Sequence, residues 1–382
     1  MFQLQIVSNR QQQRDFFEVP WKIYHDDPYW VPVPIEMIAD QINTRTHPFF
    51  QRHDAQFWCV YSNSIPVGRI AAFALRPEFR TETENYATFG YFEAIDQSGV
   101  AHLLFHAVLE WAAIQGVAFI RGPINLNLNF YECGLLVDGF DVSPTISRPY
   151  NPRYYEKFFI SFGFQKAKDL KAYDISPKKL NFSEGDIEKY HYLTNLDGLR
   201  IRELNPQNFT QEVTSLFEVY NESLKNNWGF TPFTLDEFLH SANEFKLIYT
   251  PYLVTILEVW GEPIGFSLIL PDINTIYKKI NCRRLFPFGI FKLLWYLKFD
   301  NKEFNHNFRS VFLGIKQSHR HLFLGNLLFA ENFWKRVPAL DPDVQVEASW
   351  ILEDNRAILD VIENLGGTVK STYRIYQNNV MQ

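Results

Sequence analysis

Two short sequence patterns occur once in each half of the chain, in the same order. Residues 64–70 and 261–267 share a Pro-hydrophobic-Gly sequence between strand-like residues, which predicts a hairpin in each half. Residues 158–164 and 361–367 each end an apolar helical pattern with glycine and then begin a strand. The matching glycines are separated by 197 residues in the first pattern and by 203 in the second. This domain-sized offset predicts two copies of one α/β unit.

Each copy is predicted to contain a strand, two helices, a hairpin, a strand, a helix, a strand, a helix and a final strand. Hairpins make antiparallel pairs and strand-helix-strand units make parallel pairs, so we expect a mixed, mostly antiparallel sheet with helices on both faces. In the first helix, Pro20 predicts a break. The predicted boundaries are an N-terminal domain at 1–175, a linker at 176–197 and a C-terminal domain at 198–382 with an insertion at 272–308.

Composition excludes several classes of function. A formal net charge of −6 argues against a general nucleic-acid binder, so we expect no DNA partner. Cys59, Cys133 and Cys282 are widely spaced and no His/Cys cluster accompanies them, which predicts neither disulfides nor a metal site. The N-terminus alternates like a strand, and the longest apolar stretch, 285–297, is too short to cross a bilayer. We therefore expect a cytoplasmic protein.

Three segments of the second copy resemble the GNAT superfamily of N-acetyltransferases. Residues 313–317 are similar to its fourth strand, and residues 354–366 are similar to a later helix that begins near Asn and ends at Gly. Residues 320–328, RHLFLGNLL, resemble the pyrophosphate motif Q/R-x-x-G-x-G/A. In the first copy, residues 122–134 and 136–152 resemble a bacterial subgroup of tandem acetyltransferase-like proteins.

The resemblance implies that an acyl-CoA is the co-substrate and that no metal is needed. Free N–H groups and the helix dipole at the start of the motif helix would bind the pyrophosphate. Phe323 stands where the family has its middle glycine, and its side chain would crowd the phosphates. In the first copy Asp96 replaces the expected Gln or Arg, so that copy is expected to be degenerate for the donor. The predicted donor-binding residues are Ile315, Gln317, Arg320, Leu324, Gly325, Asn326 and Asn355.

Acyl transfer from a thioester to an amine needs a group that takes up the amine's proton. Glu347 is the predicted base, although the alternation of its strand is equally compatible with a solvent-facing side chain. Family members often protonate the leaving thiolate with a Tyr four residues before the helix-ending glycine, where this chain has Ile362. Tyr373 is a substitute on the last strand, and the alternative is an ordinary core or surface tyrosine.

Two segments are predicted to contact the acceptor. Asn127, Asn129 and Glu132 lie in an Asn-rich loop that follows a strand, where the carboxyl ends of sheets usually meet ligands. The alternative is a loop whose Asn side chains bind their own backbone. Trp228 and Phe230 lie between the early helices of the second copy, where they could hold a substrate or fill an interface.

The insertion has an unusual charge pattern. Residues 277–298 contain six Lys or Arg, no Asp or Glu, and many aromatic residues. Three interpretations remain open: a helix packed on a neighbouring domain, a lid over the cleft, or a basic amphipathic surface in peripheral contact with a membrane.

Three functions are compatible with these patterns. The first is transfer of an acetyl or other acyl group from coenzyme A to an amine of a small molecule or peptide, with the donor in the C-terminal domain. The second is aminoacyl or peptidyl transfer from tRNA, in which the basic insertion would contact RNA. The third is a non-catalytic binding protein with two degenerate domains.

Overall fold

The computed structural model describes residues 1–81, 84–128, 130–300, 304–322 and 324–380. They form two compact units. Unit 1 consists of Met1–Leu170, Tyr277–Leu294 and Ser371–Gln382, and unit 2 consists of Lys171–Ile276 and Trp295–Lys370. These boundaries differ from the predicted ones because parts of the insertion and of the last strand belong to unit 1.

The two units repeat one series of elements. The strands are β1 (Phe2–Ile6), β2 (His53–Ser62), β3 (Ile65–Leu75), β4 (Tyr86–Ala94), β5 (Phe119–Gly122), β6 (Leu135–Asp138), β7 (Gln165–Ile175), β8 (Leu199–Glu203), β9 (Val254–Val259), β10 (Glu262–Pro271), β11 (Asn307–Ile315), β12 (Gln345–Leu352) and β13 (Thr368–Asn379). The helices are α1 (Arg10–Ile23), α2 (Ile35–Gln41), α3 (Ser98–Ile114), α4 (Tyr155–Phe162), α5 (Glu184–Thr194), α6 (Phe209–Leu224), α7 (Leu235–Glu244), α8 (Asn274–Ile280), α9 (Gly289–Phe299), α10 (Leu324–Ala330), α11 (Val337–Leu340) and α12 (Arg356–Asn364).

The element order confirms the predicted repeat. The series β1-α1-α2-β2-β3-β4-α3-β5-α4-β7 corresponds, element by element, to β8-α6-α7-β9-β10-β11-α10-β12-α12-β13. The additional helices α8 and α9 lie between β10 and β11, where the insertion was predicted. Helix α5 lies in the predicted linker; Ser183 caps it and Tyr190 and Leu193 are buried.

Unit 1 is built on a sheet with the strand order β1-β2-β3-β4-β5-β13. Strands β4 and β5 are parallel, and β13 pairs antiparallel with β5, with Tyr376 opposite Gly122. Apolar residues of α3 and α4 pack on one face of this sheet, together with Tyr376 and Val380 from the end of the chain. The last strand of the chain thus completes the sheet of unit 1.

Unit 2 has the strand order β8-β9-β10-β11-β12-β7, with β11 and β12 parallel. One core cluster joins β7, β12 and α12 to the helical stretch that follows α10. A second cluster packs α5 and α10 against β9, β10 and β11. In this sheet β7, from the end of the first repeat, occupies the place beside β12.

The parallel strands of each unit pair at their starts and then continue. In unit 2, Asn307–Ser310 pair with Gln345–Ala348, and the strands extend to Ile315 and Leu352. Strand β11 bulges at this point, because Phe312 and Ser310 face the consecutive residues Leu268 and Ile269 of β10. Unit 1 repeats the arrangement in β4, whose register with β3 shifts between Arg69 and Ala71. The bulge is therefore a shared feature of both repeats.

The predicted break at Pro20 is wrong, because α1 continues through this residue. Proline cannot donate the hydrogen bond that the carbonyl of Phe16 would receive in a helix. The buried guanidinium of Arg69 takes its place, since its Nη1 donates to that carbonyl at 3.0 Å. The same guanidinium lies 4.9 Å from the centre of the Phe16 ring.

The insertion contributes its first part to unit 1. The N–H of Ile35 donates to the carbonyl of Arg283 at 3.0 Å, and the N–H of Leu285 donates to the Glu36 carboxylate at 3.0 Å. Leu285 and Leu293 are buried. The first of the three interpretations, a segment packed against the rest of the protein, therefore holds for the side that carries Leu285 and Leu293. In the described part of the chain, no helix combines the length and the apolar character needed to span a membrane.

Candidate active site

The predicted donor residues of unit 2 gather where β11 leads into α10. Ile315 ends β11 and is buried in the core under α5 and α10. The side-chain amide of Asn226 donates to Gln317 at 3.1 Å, and the exposed Arg320 donates to the carbonyl of Ser223. The residues before α10 form a 3-10 helix, Gln317–Leu322, so the α-helix begins at Leu324, inside the motif, and not at Arg320.

The first turn of α10 combines a buried and an open side. Leu324 is 1% exposed and its side chain packs in the core, which leaves only its main chain for a ligand. A Cβ placed on Gly325 would meet no atom within 4 Å, and Asn326 is exposed. Phe323 lies outside the described residues. The open space at Gly325 is compatible with the close approach of a diphosphate.

A cavity of about 230 Å³ lies beside this turn within unit 2. It is bounded by α5, α10 and α12, and Asn326, Lys189 and Asn364 provide polar groups at its wall. Asn355, the last of the predicted donor residues, is the N-cap of α12, and its carbonyl accepts from the N–H of Leu359 at 3.1 Å. Of the predicted donor residues, Asn326 thus lines the cavity, whereas Asn355 lies at the opposite end of α12 from the cavity-lining Asn364.

Glu347 lies on β12 and faces neither solvent nor an open cleft, because it is 3% exposed. The hydroxyl of Ser349 donates to Oε1 at 2.7 Å, and Lys370 Nζ lies 3.1 Å from Oε2. Although burial lowers it, the carboxylates of Glu347 and Asp174 raise the pKa of Lys370 overall. These two contacts orient the Glu347 carboxylate, so it resembles a structural carboxylate more than a base that meets substrate.

Unit 1 contains a different polar cluster at the end of β4. Tyr91, at the bulge, has a φ of 49°. Its N–H donates to Asn125 Oδ1 at 2.7 Å, and Asn125 Nδ2 donates to Glu132 Oε2 at 3.1 Å. A Cβ on Gly90 would lie 2.4 Å from Asn125 Oδ1, so glycine is required for this approach of the loop to the strand.

Glu93 lies at the centre of the same cluster. The hydroxyls of Tyr24 and Tyr155 both donate to its Oε2 at 2.7 Å, and Arg69 Nη2 lies 3.7 Å from Oε1. The Tyr155 hydroxyl oxygen also accepts from the N–H of Ala94 at 2.9 Å. Burial raises the pKa of Glu93 above its usual value, although Arg69 opposes this effect.

Glu132 is the carboxyl whose properties best fit proton transfer. Burial, followed by the charge of Glu93, raises the pKa of Glu132 to about 7, and Arg69 opposes the shift. A carboxyl with a pKa near 7 is populated in both protonation states at neutral pH, which is the condition for an effective general base. The residue as a whole is half-buried, although burial of its carboxyl is the main cause of the shift.

The edge of β4 in unit 1 is occupied by the protein's own groups. The N–H of Ile124 donates to the carbonyl of Phe89 at 2.7 Å, and the Tyr154 hydroxyl donates to the carbonyl of Ala94 at 2.9 Å. These contacts would compete with a pantetheine chain for the strand edge. They support the prediction that the first repeat is degenerate for the donor, which stays a prediction.

The remaining predicted residues are dispersed. Asn127 Oδ1 accepts from the N–H of Phe130 at 3.4 Å within its own loop, and Asn129 lies outside the described residues. Trp228 and Phe230 are half-buried in unit 2, where the Phe230 ring lies 6.1 Å from that of Tyr220. Tyr373 is 3% exposed on β13, opposite Leu136 in unit 1.

Sequence reasoning identified Glu132 but missed Glu93, Tyr24 and Arg69. Glu93 interrupts an otherwise apolar end of β4, from Phe89 to Ala94, in which every side chain is buried. A carboxylate within such a strand is costly unless it is paired, and this cost was the signal available. Its partners come from α1, β3 and α4 and could not be assigned without the fold.

Comparison with known proteins identifies the family. No family model matches the chain. The bacterial ceramide synthase of Caulobacter vibrioides is 31% identical over 382 aligned residues, which cover 97% of this chain and 96% of that protein. The protein YghO of Escherichia coli is 30% identical, with coverage of 97% and 94%.

Solved structures show the same fold at low identity. A tandem GNAT protein from the clavulanic acid biosynthesis pathway covers 100% of this chain and 99% of its own, with a TM-score of 0.58 and 10% identity. A GCN5-related N-acetyltransferase from Sphaerobacter thermophilus has a TM-score of 0.54 and 11% identity, with coverage of 100% and 96%. The resemblance to the GNAT superfamily is thereby confirmed at the level of the fold. The chain is a tandem GNAT-fold protein, and it belongs to the family that includes the bacterial ceramide synthase of Caulobacter vibrioides and YghO of Escherichia coli.

Proposed function

We propose that this protein transfers an acyl group from an acyl-CoA to the amine of a long-chain amino alcohol, giving a ceramide-like amide. The full-length similarity to a relative named bacterial ceramide synthase supports the acceptor class. A ceramide is the N-acyl product of such an amine, so the reaction falls within the chemistry of GNAT-fold enzymes. The observation that carries the proposal is Glu132, a half-buried residue whose Oε2 accepts from Asn125 Nδ2 at 3.1 Å. Burial and the charge of Glu93 also raise the pKa of this carboxyl to about 7.

The residues of unit 1 supply the acid–base step of this reaction. An ammonium group must lose a proton before its nitrogen can attack, and Glu132 accepts that proton. The nitrogen then forms a bond to the thioester carbon, and the carbon–sulfur bond breaks. The nitrogen loses a second proton as the amide forms, and the departing thiolate of coenzyme A takes up one proton, so that the net reaction releases one proton to solvent. Asn125 positions the base, because its amide donates to the Glu132 carboxylate.

The test is a turnover assay with the purified full-length chain. A long-chain acyl-CoA and a sphinganine-type amine should give the amide, detected by mass spectrometry, together with an equal amount of free thiol. Acetyl-CoA tests the donor's chain length, and 2-aminoethanol tests the need for a long acceptor chain. An N,N-dimethylated acceptor cannot form the amide and serves as the control. Release of thiol without amide, or with no dependence on the amine, would contradict the proposal.

Independently of the role of Glu132 in unit 1, we propose that the first turn of α10 in unit 2 binds the pyrophosphate of an acyl-CoA. The open space at Gly325, the exposed Asn326 and the adjoining cavity support this placement. Arg320 donates a hydrogen bond to the Ser223 carbonyl, and it would have to break this bond before it could contact the phosphates. When bound, coenzyme A supplies the activated thioester, and the main-chain N–H groups of this turn hold its phosphates.

Gly325→Asp is expected to raise KM for the acyl-CoA about tenfold or more. A carboxylate near the pyrophosphate costs about 1–4 kcal/mol at 4 Å, depending on the local dielectric. Gly325→Ala is the matched control, because its methyl group carries no charge and meets no protein atom within 4 Å. Both variants should melt like the wild type, and KM should rise less in Gly325→Ala than in Gly325→Asp. An unchanged KM in Gly325→Asp would place the donor elsewhere.

A further inference from the structure

The segment from Arg283 to Phe299 presents large apolar side chains to solvent. Their exposed fractions are high for residues of this type, whose burial is usually favourable. The exposed side chains are Phe286 at 64%, Phe288 at 76%, Phe291 at 68%, Leu294 at 49%, Trp295 at 52% and Phe299 at 66%. We call this set the aromatic surface.

The aromatic surface rests on a packed framework. Leu293 is 1% exposed and Leu285 is 7% exposed, so the opposite side of the segment is buried. A Cβ on Gly289 would lie 2.5 Å from the carbonyl oxygen of Arg284, which shows that the start of α9 is tightly folded. Phe291 and Trp295 are four residues apart in α9 and therefore share one helical face, and Phe288 directly precedes the helix.

Basic residues surround the aromatic surface. The range 277–298 contains Lys and Arg but neither Asp nor Glu, whereas the whole chain has a formal net charge of −6. Arg284, Lys292 and Lys298 are exposed beside the aromatic side chains. Arg283 lies 3.6 Å from the Glu18 carboxylate, and Lys278 donates to the Ser143 hydroxyl, so these two also help to hold the segment on unit 1.

We propose that the aromatic surface and its basic residues dock the protein on an anionic lipid bilayer. Aromatic side chains with nearby Lys and Arg are typical of segments that lie in the membrane interface. Their positive charges are attracted to acidic headgroups within a Debye length of the surface. A second copy of the chain would bring the same basic residues together, so charge complementarity favours the bilayer as occupant.

The docking surface complements the proposed reaction without depending on it. Both long-chain substrates named above would reside in a membrane, and the aromatic surface would hold the enzyme beside them. Membrane binding is measured without turnover, and turnover can be measured with substrates dispersed in detergent. Failure of one proposal is therefore distinguishable from failure of the other.

The test is flotation of the full chain with lipid vesicles. We expect binding to phosphatidylcholine vesicles that contain phosphatidylglycerol and at least tenfold weaker binding to phosphatidylcholine alone. The triple variant Phe288→Ser, Phe291→Ser, Trp295→Ser should bind anionic vesicles at least tenfold more weakly. The matched control is Ile114→Ser with Ile160→Ser, since these side chains are 82% and 61% exposed elsewhere. The control should bind like the wild type.

A second variant tests the charges independently. Lys292→Gln with Lys298→Gln should weaken binding to anionic vesicles and reduce its dependence on salt. Wild type that does not float with anionic vesicles would overturn the proposal, as would equal binding by the aromatic triple variant. If the wild type instead forms a dimer that the triple variant abolishes, while vesicles remain unbound, the occupant is a second copy and the proposal is wrong.

Discussion

Glu132→Gln is expected to lower kcat for acyl transfer by about 10²–10⁴-fold, the usual contribution of a general base. Glutamine keeps an oxygen that can accept from Asn125 Nδ2, as Glu132 does at 3.1 Å, so the loop should keep its structure. It cannot take up the proton of the amine. The measurement is steady-state turnover with a long-chain acyl-CoA and a long-chain amine, alongside circular dichroism of both proteins.

The pH profile separates this role from a structural one. Since the base must be ionised, kcat of the wild type should rise with pH through an apparent pKa near 7, the value to which burial raises the pKa of Glu132. The rise should disappear in Glu132→Gln. In Glu93→Gln it should move to lower pH, because the charge of Glu93 contributes to the raised pKa of Glu132. A wild-type profile retained by Glu132→Gln would identify another base.

Glu132→Gln should be more stable than the wild type at alkaline pH. The usual pKa of this carboxyl is 4.5, and burial raises the folded-state pKa of Glu132 to about 7. The folded protein therefore binds this proton more tightly than the unfolded chain, and its stability falls as the pH rises between these values. Glutamine carries no charge and avoids this loss. A gain in stability together with a loss of turnover is the combination expected at a catalytic position.

Lys370→Ala is expected to lower the free energy of unfolding by about 3–5 kcal/mol, the usual effect of breaking a buried ion pair. Lys370 Nζ lies 3.1 Å from the Glu347 carboxylate and 3.2 Å from that of Asp174. Its removal takes one cation away from Glu347, which is 3% exposed. Urea denaturation at neutral pH measures the loss.

A second substitution distinguishes ion pairing from loss of packing. Glu347→Gln in the Lys370→Ala background should recover part of the stability, because it removes the buried charge that Lys370 had contacted. A loss below about 1 kcal/mol would mean that solvent compensates the carboxylates, as at exposed salt bridges. In that case Glu347 would be open to a role in the chemistry.

Local signals in the sequence were sufficient to predict the repeat and the order of its elements. Hairpin turns and helix-ending glycines depend on a few neighbouring residues, as the pair Gly163 and Gly366 illustrates, each with φ above 90°. Which strands pair with each other depends on residues that are distant in the sequence. The positions of β7 and β13 in the two sheets were therefore not predictable. Pro20 is a similar case, because its compensating group, Arg69, comes from β3.

The part of the candidate site that lies within one continuous segment could be predicted from the sequence. Glu132 belongs to a conspicuous Asn-rich loop and was identified, although as an acceptor-binding residue. Its raised pKa arises from burial and from Glu93, which is distant in sequence. For Glu347, strand alternation left two orientations open, and the deciding residue is Lys370 on a different strand. Pairwise electrostatics of this kind requires coordinates.

The pairing of β13 with β5 has a consequence for synthesis of the protein. Phe119–Gly122 receive their antiparallel neighbours from Tyr376–Asn379, which the ribosome adds after the other elements of the second repeat. The first half must therefore wait, with an uncovered strand edge, until β13 has been synthesised. Gene fission between the two repeats would deprive each fragment of a strand that the other encodes. Because each sheet needs a strand that the other repeat encodes, the two halves of a duplicated gene could no longer be separated once β7 and β13 had been exchanged between the sheets.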